Sequence, residues 1–175
     1  MRDFAEYKSR ICDIGRRMYQ REFVAANDGN ISCRVGDNEV LITPTGVSKG
    51  FMTPDMMVRV DLDGNVLEGN MKPSSETAMH VQLYKANSGI NAIVHAHPVY
   101  ATVCAIMNKP LDQHIVPEAV VFLGSVPVAK YGTPSTEELP NEVKKYIHNH
   151  KAVLLANHGA LSWGKDLEEA YLTME

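Results

Sequence analysis

Histidines carry most of the chemistry this sequence could do. Ala92-Ile93-Val94-His95-Ala96-His97-Pro98 is an apolar run that ends in two imidazoles two residues apart. Side chains alternate across a strand, so His95 and His97 are expected on one face, and Pro98, with no N–H for a ladder, ends the strand. A second apolar run, Ala152-Val153-Leu154-Leu155-Ala156-Asn157, ends in His158, and Pro73-Ser74-Ser75-Glu76 opens a helical pattern with a carboxylate at its start. Three imidazoles and one carboxylate form a complete tetrahedral set for zinc. The set becomes catalytic if Glu76 can leave and open a coordination position.

Other candidates are weaker. His80 falls inside the helix that Ser74 opens and reads as a packed or surface residue. His148 and His150 form a second His-x-His, but positions i and i+2 of a helix diverge, so they are rejected as ligands. Asn27-Asp28-Gly29-Asn30-Ile31-Ser32 is dense in turn residues; it reads first as a helix-to-strand turn, and alternatively as a place where Gly29 admits a ligand to the backbone. Thr43-Pro44-Thr45-Gly46 is either a turn or a small hydroxyl-and-glycine pocket. Ser74 and Ser75 are the usual N-cap types, at a helix end that also favours anions.

The elements that must position these groups follow from periodicity. Phe4, Tyr7, Ile11, Ile14 and Met18 predict an amphipathic helix over about residues 3–22. Residues 31–35 and 39–43 read as strands joined by Gly36-Asp37-Asn38, and 57–61 and 66–68 as a hairpin around Asp63-Gly64-Asn65. Tyr100 to Met107 reads as a helix, whereas Val120 to Leu123 and Val126 to Ala129 read as β-like pieces around Gly124. Ser135-Thr136-Glu137-Glu138 fits a capping box opening a helix to about His150, with Pro140 as a kink. Residues 152–157 predict a buried strand, 161–163 another, and Asp166 the start of a final helix. Its pattern is unfinished at Glu175, so the chain is expected to continue.

Composition narrows the classes. The 175 residues suit one domain, 1–175, with 45% hydrophobic and 22% charged residues as in ordinary globular proteins. A net charge of −4 offers no surface for nucleic acid or anionic membrane. No apolar run reaches membrane length, and the acidic start is no signal peptide. Cys12, Cys33 and Cys104 are scattered and odd in number, which points to free thiols in a reducing cytoplasm. Neither a dinucleotide fingerprint nor a Walker A pattern occurs.

Taken together and in order, Gly29-Asn30-x-Ser32, Thr43-Pro44-Thr45-Gly46, Pro73-Ser74-Ser75-Glu76, His95-Ala96-His97 and Asn157-His158-Gly159 resemble the class II aldolase/adducin-head family, and within it the L-fuculose-phosphate aldolase-like members. The resemblance implies an α/β fold, an α/β/α sandwich around a central, mainly antiparallel sheet, and a homotetramer with sites at subunit interfaces. It implies one divalent metal per subunit on His95, His97, His158 and Glu76, with zinc first and manganese or cobalt as alternatives. It also implies a phosphate pocket of Gly29, Asn30, Thr45, Gly46, Ser74 and Ser75. The implied reaction is reversible cleavage of a ketose 1-phosphate to dihydroxyacetone phosphate and an aldehyde, with Glu76 moving the proton. Alternatives are a sugar-phosphate dehydratase or epimerase and, outside catalysis, an adducin-like interaction module. The chain departs from the family at one place: Val116 stands where fuculose-phosphate aldolases carry a catalytic tyrosine. Glu118 falls near an acid/base glutamate of the related methylthioribulose-1-phosphate dehydratases and is the candidate replacement.

Overall fold

The computed structural model describes residues 4–113 and 115–175. Asp3, where the first predicted helix would begin, lies outside them. That helix, α1, spans Ala5–Gln20 and buries Ile11, Ile14 and Met18 along the face that the apolar repeat defines. The strands are β1 (Asn30–Gly36), β2 (Glu39–Ile42), β3 (Val58–Asp61), β4 (Val66–Glu68), β5 (Ala92–Ala96), β6 (Val128–Ala129), β7 (Ala152–Leu155) and β8 (Gly159–Gly164). They form one eight-stranded sheet in the order β4-β3-β2-β1-β5-β8-β7-β6. Every pairing is antiparallel except β6 with β7.

The remaining helices are α2 (Thr77–Ala86), α3 (Val99–Ile106), α4 (Pro117–Phe122), α5 (Glu138–Val143) and α6 (Leu167–Met174). Alternation along the strands sorts them into layers. Ile31, Cys33, Leu41, Ala92, Val94 and Ala96 pack with α1 and α6. Val40, Ile42, Ile93, Leu161 and Trp163 point the other way and pack with α2 and α5. Covering both faces explains why β5 is buried along its whole length and reads as a continuous apolar run. This is the predicted α/β/α sandwich.

Two local expectations fail. Val120 to Phe122 is helical rather than β-like, with Leu123 as the C-cap: Pro117 occupies the first turn, where its fixed φ suits a helix, and Glu118 follows at the favourable end of the dipole. The helix after Ser135 is also shorter than expected, ending at Val143 before a series of turns. Ser135 has φ 64° and is not its cap. Instead the Thr136 hydroxyl accepts from the Glu138 N–H, and the Glu138 carboxylate accepts from the Thr133 N–H. Asp166 does cap α6, accepting from the Glu169 N–H at 2.8 Å.

Candidate metal centre and active site

The cleft forms where the central strands end. His95 is the fourth residue of β5 and sits opposite Asn30 of β1 and Leu161 of β8. His97 lies one residue beyond β5, where its N–H donates to the Phe23 carbonyl at 2.9 Å. The alternation argument therefore does not carry through to His97, yet the two rings still meet, with centroids 4.9 Å apart. His158 sits in the turn between β7 and β8, after Asn157 at φ 57°, a conformation asparagine tolerates. Its ring centroid is 4.7 Å from that of His95. One nitrogen from each of His95, His97 and His158 lies within 4.8 Å of the others, the set so arranged among the described residues.

The His95 ring is oriented from outside the cluster. His95 Nδ1 is 2.9 Å from the Ala160 carbonyl oxygen. A carbonyl only accepts, so Nδ1 carries the proton and Nε2 presents a lone pair. Asp28 stands 3.4 Å from His97 Nδ1. The two Nε2 atoms then face each other at 3.2 Å. Two nitrogens held by one tetrahedral zinc at about 2.0–2.1 Å would be about 3.4 Å apart, so the spacing matches a shared cation.

Glu76 completes the set from the residue preceding α2. Its Oε2 accepts from the Asn30 amide at 2.8 Å and lies 3.3 Å from His95 Nε2. Its Oε1 is buried, has no hydrogen-bond partner, and lies 3.7 Å from His158 Nε2. Leaving a buried carboxylate oxygen unpartnered costs about 1–3 kcal/mol or more, and a cation among the imidazoles would satisfy it. His158 Nδ1 is likewise buried without a partner. The donor set, three imidazoles and one carboxylate, thus fits a divalent metal.

The electrostatics agree. Burial pushes the His95 imidazole down to about 4, against the opposing pull of Glu76. Burial also lowers His158. Burial raises the Glu76 carboxyl, but His95, the Asn30 amide, His158 and His80 outweigh it and hold the group below its ordinary value. Near neutral pH His95 and His158 are therefore uncharged and Glu76 is a carboxylate, the forms that bind metal.

A cleft of about 230 Å³ opens beside the cluster. Its walls include Gly29, Asn30, Thr45, Ser74, Ser75 and Glu76 with all three histidines, which brings most of the expected site together. Gly46 lies in the adjoining loop at φ 74° and is not part of the wall. Ser74 is the expected helix cap, but Glu76 occupies the cap position of α2; the Ser74 hydroxyl accepts from the Glu76 N–H at 3.2 Å just ahead of it. Asn30 differs from expectation, because its buried side chain is engaged with Glu76 and His80. Glu118 lies away from the cleft, exposed in the first turn of α4 and lining a groove with Phe122, Lys151 and Leu172.

Lys49 was not singled out by the sequence. It is buried in the cleft wall and donates from Nζ to the carbonyls of Asn27 at 2.9 Å and Val47 at 2.6 Å. Burial lowers its ammonium to about 8, with Asp28 opposing. It ties the Asn27–Asn30 turn to the Thr45–Val47 loop and sets a positive charge in the cleft wall. A lone lysine in a loop has no periodic signal, and only the fold shows that it is interior.

Two glycines permit close approach at the cluster. Gly29 has φ 72°, and a Cβ there would stand 2.7 Å from the His95 carbonyl oxygen. A Cβ on Gly159 would meet His97 Cδ2 at 2.5 Å and the Ala96 oxygen at 2.6 Å. Gly159→Ala is expected to displace His97 and weaken metal binding by about 10–100-fold, the range seen when support for a ligand is lost. Competition with a chromogenic chelator measures it; unchanged affinity would show that His97 does not hold the ion.

Comparison with known proteins identifies the family. The family described as Class II Aldolase and Adducin N-terminal domain matches residues 9–175. The L-fuculose phosphate aldolase of Methanocaldococcus jannaschii is 35% identical over 168 residues, covering 96% of this chain and 90% of that protein. The 3-oxo-tetronate 4-phosphate decarboxylase of Haemophilus influenzae is 36% identical, covering 97% of this chain and 82% of that protein. The solved structure of L-fuculose-1-phosphate aldolase from Thermus thermophilus superposes with a TM-score of 0.85 at 32% identity, covering 95% of this chain and 86% of that one. The chain belongs to the class II aldolase and adducin N-terminal domain family.

Proposed function

We propose that the protein is a metal-dependent lyase that cleaves a carbon–carbon bond beside the carbonyl of a ketose 1-phosphate, releasing dihydroxyacetone phosphate and an aldehyde. The observation that carries this reading is the orphaned, buried Glu76 Oε1 facing three histidines at the floor of a polar cleft. An interaction module needs no such set. Zinc is the proposed ion, with manganese or cobalt as alternatives, one per subunit. When bound it supplies Lewis-acid stabilisation of the charge that develops at the carbonyl and neighbouring hydroxyl oxygens.

The chain's own groups do the rest. The substrate phosphate sits at the Gly29–Asn30, Thr45–Gly46 and Ser74–Ser75 segments, with the Lys49 charge close by. Holding that remote group positions the reacting carbons. The Glu76 carboxylate takes the C4 hydroxyl proton, the oxygen's electron pair closes the aldehyde carbonyl as the C3–C4 bond breaks, and the electron pair of that bond passes to C3 and the adjacent carbonyl. Glu76 then delivers a proton to C3.

A second reading is favoured by a specific departure. Val116 stands at the tyrosine position of fuculose-phosphate aldolases, and Glu118 lines a different groove of the protomer. A 3-oxo acid phosphate, the kind of substrate named for the Haemophilus relative, would lose its carboxylate as carbon dioxide and leave the electron pair on the same carbon. That cleavage needs no group to take a hydroxyl proton from the departing fragment.

The exposed Val99, Tyr100, Val103 and Ile106 of α3 support assembly into the homotetramer of the first reading. Helix α3 begins two residues after His97, so a neighbouring subunit there would border the cleft. The free thiols support a place in the reducing cytoplasm. No helix among the described residues is long and apolar enough to cross a membrane.

The test is release of dihydroxyacetone phosphate from a panel of ketose 1-phosphates and from 3-oxo-tetronate 4-phosphate, with and without chelator. Chelator-sensitive release with an aldehyde is the expected result. Release with carbon dioxide alone would select the decarboxylase. No release from either, by metal-loaded protein, would end both and leave dehydration or epimerisation.

A further inference from the structure

Behind Glu76 lies a row of buried polar side chains that the reaction above does not use. Asn30 and Ser32 of β1 point to the α2 face, where His80 and Tyr84 of α2 meet them. Asn30, Ser32, His80 and Tyr84 are all buried, and His80 is without exposed surface. Each ring nitrogen of His80 nevertheless has a hydrogen-bond partner.

We propose that His80 is a positioning residue for Glu76: its ring, held in one tautomer by Ser32 and Tyr84, locks the Asn30 amide so that its N–H always points at the carboxylate. This inference rests on the reading of Glu76 as metal ligand and proton carrier.

The direction of each hydrogen bond can be worked out from one end. The Glu76 carboxylate can only accept, so the group 2.8 Å away on Asn30 is its NH2. The Asn30 oxygen therefore faces His80 Nε2 at 2.6 Å, and Nε2 must carry the proton. A neutral ring then has a bare Nδ1, which accepts from the Ser32 hydroxyl at 2.6 Å. With its proton given to His80, Ser32 accepts from the Tyr84 hydroxyl at 2.8 Å. Every donor in the row points toward Glu76. The two partners of the ring are an uncharged hydroxyl and an uncharged amide, and the ring has no exposed surface, so nothing there supports a charge and the bare Nδ1 is available.

The consequence is mechanical. A free asparagine can flip its amide and offer oxygen in place of nitrogen. In this row a flip would set the Asn30 oxygen against the Glu76 oxygen and its NH2 against the His80 N–H, losing two hydrogen bonds at once in a dry interior. Glu76 Oε2 is thereby pinned, and only Oε1 remains uncommitted toward the histidines. The carboxylate is thus held in one orientation toward the histidines.

The experiment records imidazole nitrogen shifts by long-range 1H–15N correlation on metal-free protein, alongside metal affinity and turnover. Wild type is expected to show His80 protonated at Nε2 alone. Ser32→Ala should mix the tautomers and weaken metal affinity by about 10-fold or more, with Tyr84→Phe, which keeps the packing, giving a smaller shift in the same direction. A role in packing alone would lower thermal stability and leave the affinity of the folded variants unchanged; that result overturns the proposal. So does a wild-type ring protonated at Nδ1. Glu76→Gln separates the two readings. If it is inactive while His80 shows the wrong tautomer, positioning fails alone; if it retains full turnover, the role assigned to Glu76 fails.

Discussion

Metal stripping of the purified protein, or His95→Ala, is expected to lower turnover by about 10³-fold or more, with metal content falling in parallel. His95 is buried in the middle of the sheet and supplies the nitrogen nearest both Glu76 and His97. Without it the ion keeps two imidazoles, each anchored at the end of a different strand connection. Lewis-acid stabilisation is worth several kcal/mol, and about 4 kcal/mol corresponds to three orders of magnitude in rate. Glu76→Gln should behave differently. It keeps shape and the Asn30 contact, removes the charge and the proton, and should lower kcat by about 10²–10⁴-fold while much of the metal is retained. Metal analysis beside steady-state kinetics separates the cases. Full activity of metal-free protein would dispose of the metal centre.

The second large effect is on stability. Metal-free protein is expected to weaken by several kcal/mol as pH falls from about 6.5 toward 4, beginning well above the carboxylate range. An unfolded histidine titrates near 6.5. In the fold, burial lowers His80 to about 3 and His95 to about 4. Above about 6.5 neither state takes up a proton at these rings, so stability is at its plateau. Below it the unfolded chain gains protons that the native chain refuses, and each histidine contributes a loss of about 1.4 kcal/mol per pH unit until its folded pKa is reached. Over this interval two such rings remove an appreciable part of the roughly 5–15 kcal/mol available to a domain. Urea midpoints at pH 7.5 and 5.0 provide the check. The loss should shrink when His80 is replaced by a neutral residue that still folds; equal midpoints at both pH values would mean that the rings are charged in the native state.

Most secondary structure was legible because its causes are local. The α1 stripe, the hairpin at Asp63-Gly64-Asn65, the Asp166 cap and the apolar β5 run each declare themselves within a few residues. The misreading of residues 120–123 has the opposite origin. Val120-Val121-Phe122 has β propensity, but a proline at the first turn decides for helix. Likewise, the turns after Val143 replace a helix that side-chain pattern alone would have continued.

The residue types of the site, His95, His97, His158 and Glu76, were set out by the sequence itself, since each ends or opens an element whose pattern marks the boundary. Which atoms meet was not. Register pairs Asn30 with His95, and that single long-range fact turns the Asn30 amide to Glu76 and to His80 instead of leaving it free in a turn. The same chain folding buries Lys49 between two loops and carries Glu118 away on α4 to another groove. Hydrogen-bond partners are decided by strand order and layer packing between residues tens of positions apart, and no local pattern encodes them.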